Sequence, residues 1–163
     1  MTTAICAMTA ASVAAAIDVR TGRIPNALVA ATALVGLSLT AFGWSGGSFG
    51  ASVAGLLLGA ALMLPGHLVG GTGAGDVKLV AALGTLVGPQ AIVMTWIYSA
   101  IAGGVLACMV AMRRGQLRRS VTGAASLMAG KPEAATEIRS RDLNRFALGP
   151  AILAGTVMAL IGG

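Results

Sequence analysis

Six apolar runs, at positions 2–17, 27–42, 49–69, 77–87, 91–112 and 146–161, carry a single charged side chain among them, Lys78 near the start of the fourth. The gaps between the runs hold the remaining charge and much of the Gly and Pro, so apolar stretches alternate with turn chemistry along the whole chain. With 56% hydrophobic residues, 10% charged residues and a mean hydropathy of +0.88 over 163 residues, a soluble domain with a polar exterior is excluded. The expectation is an all-α fold: one polytopic membrane helical bundle of about six transmembrane helices over 1–163, with a basic cytoplasmic loop at 113–145.

Length alone leaves that count open. The first two runs have 16 residues each and the fourth only 11 before Gly88-Pro89, against the roughly 20 that a span prefers. Charge is more decisive. Asp18, Arg20 and Arg23 fall between the first and second runs, Asp76 and Lys78 at the entry to the fourth, and all the rest between the fifth and sixth. Six crossings put every one of these on one side with both termini on the other, which agrees with the tendency of Lys and Arg to stay cytoplasmic. The formal charge of +6 is accordingly read as anchorage at anionic lipid. Nucleic acid is not an expected partner, since base-stacking aromatics are missing near the basic residues. The first run lacks the basic residues that would precede it in a secretory signal.

Cys6 and Cys108 are single, far apart and inside apolar runs, where buried packing is the expectation. With one histidine, His67, they cannot close a zinc site, so no metal and no cofactor is expected. Gly55 and Gly59 stand at the spacing that lets two helices approach closely.

Chemistry concentrates in two acidic side chains. Asp18 and Asp76 are the only carboxylates in the first 132 positions, at the ends of apolar runs on the same expected side of the membrane. Asp76 follows "GGTGAG", whose Gly71, Gly73 and Gly75 fit neither a dinucleotide fingerprint nor a phosphate loop, because Asp76 stands where the last glycine of the first belongs and Lys78 is followed by Leu79, not Ser or Thr. A carboxylate at membrane depth is costly. Alternating glycines would let the chain leave helical geometry, present Asp76 to a neighbouring helix and admit a substrate backbone. Two carboxylates suffice for peptide hydrolysis, one as general base toward water and the other, protonated, polarising the carbonyl and then serving the leaving amine. The competing reading is that both aspartates cap helix ends beside Arg20 and Lys78.

At these stretches the chain resembles the type IV prepilin peptidase family of polytopic aspartic proteases. "DVRTGRIPN" from Asp18 to Asn26 and "GAGDVKLVAALG" from Gly73 to Gly84 are similar to its two motifs, and "RFALGPAILAG" from Arg145 to Gly155 to its last helix. The resemblance implies an inner-membrane aspartic endopeptidase that removes the basic leader from prepilins or pseudopilins at the cytoplasmic face, with Asp18 and Asp76 catalytic and Gly73 and Gly75 shaping the loop and the approach of substrate. Lys78, two residues beyond the second aspartate, is read with that site either as a charge acting on the carboxylate or as a lipid-facing anchor. Pro25 and Asn26 are expected to open the second helix. Larger members of the family carry an N-terminal region with paired cysteines linked to methylation. This sequence has none, and so is more similar to the compact tight-adherence (Flp pilus) branch. An archaeal-type preflagellin peptidase would share both aspartates, while a small proton- or cation-coupled transporter and a noncatalytic assembly scaffold are the alternatives of other classes.

Overall fold

A computed structural model of the protein describes residues 2–68, 72–113 and 148–162. Among the described residues every element is helical: α1 Thr2–Thr21, α2 Asn26–Ala41, α3 Phe49–Leu68, α4 Ala74–Arg113 and α5 Gly149–Gly162. Helices α1 and α3 and most of α4 are long and apolar enough to cross a membrane, and α2 and α5 are shorter apolar helices. The expected basic loop lies outside the described residues beyond Arg113.

The ends of α1 and α2 are closed by glycine. Gly22 takes φ 62 and donates its N–H to the Asp18 carbonyl at 2.7 Å, an αL stop one turn beyond Asp18. The Thr21 hydroxyl bonds the Ile17 and Arg23 carbonyls, each at 2.9 Å, and turns the chain toward Ile24. Pro25, at φ −64 and ψ 134, then opens α2, its carbonyl accepting from Leu28 and Val29. At the far end Gly43 (φ 72) bonds Thr40 and Trp44 bonds Leu39 through their backbones, the paired hydrogen bonds of a Schellman stop.

The fourth and fifth apolar runs, read from sequence as separate segments, form one element broken at Gly88. Its φ of 80 and ψ of 177 are open to glycine alone, and Pro89 follows it. A straight helix would set Gly103 about 40 Å from Asp76. The contacts forbid this: Gly103 packs on Leu148 and Ala151, the Gly149 N–H bonds the Asp18 carboxylate, and Asp18 is within electrostatic reach of Asp76. The second half of α4 therefore folds back toward the end of the bundle from which the first half starts.

Small residues set the helix contacts. A Cβ on Gly55 would fall on the Gly84 carbonyl oxygen, one on Gly84 on that of Gly55, and one on Gly59 within 2.8 Å of the Val80 oxygen. The Gly55/Gly59 spacing is thus spent on α3 against the first half of α4, within a single chain. Pro89 has no N–H to give the Thr85 carbonyl one turn back, and the Ser52 hydroxyl of α3 donates to that oxygen at 2.7 Å. On the other side of the kink, α5 seats Gly155 against Ser99 and Thr95 of α4. Leu79, Val80, Leu83, Ile92 and Ile152 fill the centre. Cys6 is half-buried but Cys108 is exposed, which corrects the expectation that both pack inside, because the face of α4 that carries Cys108 is turned outward from the bundle.

Candidate active site

Three helix ends meet at one pole of the bundle: the last turn of α1, with Asp18, the first turn of α4, with Asp76, and the start of α5, at Gly149. Asp18 retains 6% and Asp76 8% of their surface, so both carboxylates are buried. Among the described residues, each is held by one backbone amide. Asp76 Oδ2 accepts from the Gly73 N–H at 3.1 Å, while the Gly73 carbonyl accepts from the Asp76 and Val77 N–H groups. That is half of a capping box, the third residue of the helix reaching back to its cap. Asp18 Oδ2 accepts from the Gly149 N–H at 2.8 Å, across 131 residues of sequence. Both side chains thus sit at helix N-termini, where a negative charge is favoured.

Asp76 stands in the first turn of a helix, not in the glycine loop where the sequence suggested it. Gly73 and Gly75 accordingly act through space and not through unusual backbone angles. Gly73 precedes α4 and a Cβ there would lie 3.0 Å from Asp76 Oδ2. Gly75 is helical, and a Cβ on it would lie 3.2 Å from that of Ile24. Among the described residues the left-handed glycines are Gly22, Gly43, Gly46 and Gly88. Lys78 Nζ donates to Asn26 Oδ1 at 3.1 Å, tying the first turn of α4 to the first turn of α2, a partner that neither sequence reading of this lysine supplied. His67 stands apart, its Nδ1 3.0 Å from the Thr72 carbonyl.

The capping reading of the two aspartates accounts for one oxygen of each. It does not account for their standing within electrostatic reach of each other. A neutral Ser, Thr or Asn would cap either helix without setting two carboxylates against each other in a buried place. Two neighbouring carboxyl groups can divide between them the general base and general acid roles that amide hydrolysis uses.

The fold and this pole define a class, a helical membrane bundle with two buried carboxylates at one end. Comparison with protein families matches residues 5–108 to the type IV leader peptidase family. The chain belongs to that family, and is a type IV leader peptidase-like protease with the apolar helices of an integral membrane protein. No curated protein and no solved structure matches it. The matched stretch contains Asp18, Asp76, Gly73, Gly75 and Lys78 but ends before α5. Gly149, the residue that reasoning from sequence missed, lies outside it. Its only sequence signal is the Gly149-Pro150 pair near the start of the last apolar run.

Proposed function

We propose that the protein is an aspartic endopeptidase that removes the basic leader from Flp-type prepilins or pseudopilins, with Asp18 and Asp76 as its catalytic pair. The observation that carries this reading is the burial of both carboxylates at one pole, on different helices, each holding a backbone amide through one oxygen. In the unprotonated member of the pair a carboxylate takes a proton from water, and the resulting hydroxide attacks the scissile carbonyl carbon. The protonated member donates to the carbonyl oxygen. Collapse of the tetrahedral intermediate breaks the C–N bond as the proton held by the first carboxylate passes to the leaving amine and the second carboxylate takes back a proton from a hydroxyl of the intermediate. Gly73 and Gly75 keep the approach to Asp76 free of side chains, and Lys78 holds α2 against α4 beside it.

In this reading six helical stretches cross the inner membrane, α4 contributing two of them, one on either side of Gly88. The 11 basic and 5 acidic side chains then share the cytoplasmic side. The substrate would present its leader there and leave its hydrophobic helix in lipid. Single cysteines at Arg20 and Ser45, in a background without Cys6 and Cys108, test the crossings. An impermeant reagent applied from outside is expected to label position 45 and spare position 20, and labelling at position 20 contradicts the orientation.

Activity is tested with the purified protein in lipid vesicles and a leader-bearing Flp-type prepilin, followed by N-terminal analysis of the product. Cleavage at the leader boundary is the expected result. An intact prepilin with proton flux across the vesicle would favour a transporter, and processing of a preflagellin alone would move the substrate class.

A further inference from the structure

The bond between Gly149 and Asp18 is unusual for what each partner could have done locally. At the N-terminus of α5 the residue before the first helical position is Leu148, whose side chain has no oxygen with which to cap the helix. The Ile152 N–H bonds the Leu148 carbonyl at 2.9 Å, Pro150 has no N–H, and the Gly149 N–H is given to Asp18 Oδ2. The approach requires glycine. A Cβ at position 149 would lie 2.9 Å from the Ala15 Cα, from the Asp18 Cβ and from the Asp18 Oδ2 itself. Nor is α5 free to slide. Gly103 receives Leu148 and Ala151 at its N-terminal end, Gly155 is seated against Ser99 and Thr95, and Ile152 between them is buried. The amide that meets Asp18 is therefore fixed by contacts along the helix that carries it.

We infer that Gly149 is a positioning residue for Asp18: its amide occupies Oδ2 and so determines which oxygen remains for proton exchange with water and with Asp76, making the Gly-Pro start of α5 part of the active site although it lies outside the family-matched stretch. The inference rests on the reading of Asp18 as catalytic. Proline at 150 contributes by supplying no second donor to compete for the carboxylate and by fixing the backbone as the helix begins.

The test removes the donor without adding an atom. Semisynthesis of the full chain with an ester in place of the Leu148–Gly149 amide deletes the N–H and leaves no Cβ to clash. The ester protein is expected to lose kcat by about tenfold to a hundredfold, the range for a hydrogen bond to a charged group, with KM little changed and the pH profile of kcat displaced. Gly149→Ala should show the same displacement in whatever fraction folds. Ser52→Ala, which removes the donor to the Thr85 carbonyl at the α4 kink, should lower the melting temperature and leave the pH profile where it was. An ester protein with wild-type kcat and pH profile overturns the role, as does a profile displaced equally by Ser52→Ala. Asp18→Asn, measured alongside, separates two failures. If Asp18→Asn still cleaves, the catalytic reading of Asp18 falls and takes this role with it; if Asp18→Asn is dead while the ester protein is normal, the positioning role alone falls.

Discussion

Two places in this bundle solve the same backbone problem with different side chains. At the α4 kink, Pro89 leaves the Thr85 carbonyl without its helical donor, and a hydroxyl on a neighbouring helix, Ser52, supplies one at 2.7 Å. At the start of α5 an amide has no helical acceptor, and a carboxylate on a neighbouring helix, Asp18, accepts from it at 2.8 Å. Both bonds are buried and both lie beside glycines that let backbones approach. The kink uses a neutral group, which satisfies the backbone at small cost in an apolar setting. The other pole uses an acid and adds a second acid nearby, a more expensive arrangement that backbone satisfaction alone does not require. The difference separates a joint that holds the fold from the site proposed to do chemistry.

Changes at the two places should therefore fail in different ways. The largest effect is expected at the acidic pole: Asp76→Asn should reduce leader cleavage by about 10³-fold or more while the folded protein still accumulates in the membrane, since Asn keeps the size and the acceptor for Gly73 but cannot exchange the proton. At the kink the loss should be structural. Gly84→Leu puts a branched side chain where even a Cβ falls on the Gly55 carbonyl, and folded yield is expected to collapse, as read by detergent-resistant monodispersity. Gly59→Ala is milder. Its Cβ would lie 2.8 Å from the Val80 oxygen, and overpacking of this kind costs about 1–3 kcal/mol, seen as a lower melting temperature with unchanged kcat in the surviving protein.

Ser52→Ala sharpens the comparison further, because it leaves the Thr85 carbonyl buried without its donor. The expected cost is about 1–2 kcal/mol, again with kcat unchanged; a fall in kcat at full stability would mean that the kink takes part in the reaction. The smallest effect belongs to Lys78→Met. This exposed tie to Asn26 is worth about a twofold to fivefold change in kcat/KM, and a loss as large as that of Asp76→Asn would move Lys78 into the catalytic group.

Much of this difference could be read in the sequence because it is local. The apolar runs give the helices, the glycine spacing at 55 and 59 gives a close helix contact, and two lone acids at run ends stand out against 10% charge. Sidedness puts Asp18 and Asp76 on one expected side of the membrane and leaves the capping reading open. The remainder is long-range. Nothing in the neighbourhood of Gly149 points to a residue 131 positions earlier, since the contact depends on how α5 docks, which in turn depends on Gly103 and Gly155 meeting it from the second half of α4. Lys78 and Asn26 are likewise joined only by the approach of α2 to α4. Gly88-Pro89 was legible as a break, and six crossings imply that the chain reverses there; the sequence could not show that the reversal takes one glycine at φ 80 inside a continuous helical element, because such a glycine and a loop look alike in sequence. Gly75 illustrates the converse: its place in a glycine-rich stretch suggested a loop, whereas it lies within α4 and makes room for Ile24.

The most direct measurement of the central claim is leader removal from a Flp-type prepilin by Asp18→Asn, Asp76→Asn and Glu137→Gln, each at matched membrane abundance and across a pH series. Glu137 belongs to the basic stretch between α4 and α5 and serves as the acid outside the pair. The account predicts a bell-shaped profile for the wild type, whose limits belong to the coupled pair and not to either aspartate. It predicts no cleavage at any pH for either aspartate variant and near-normal cleavage for Glu137→Gln. Substantial cleavage by Asp18→Asn or Asp76→Asn would contradict it.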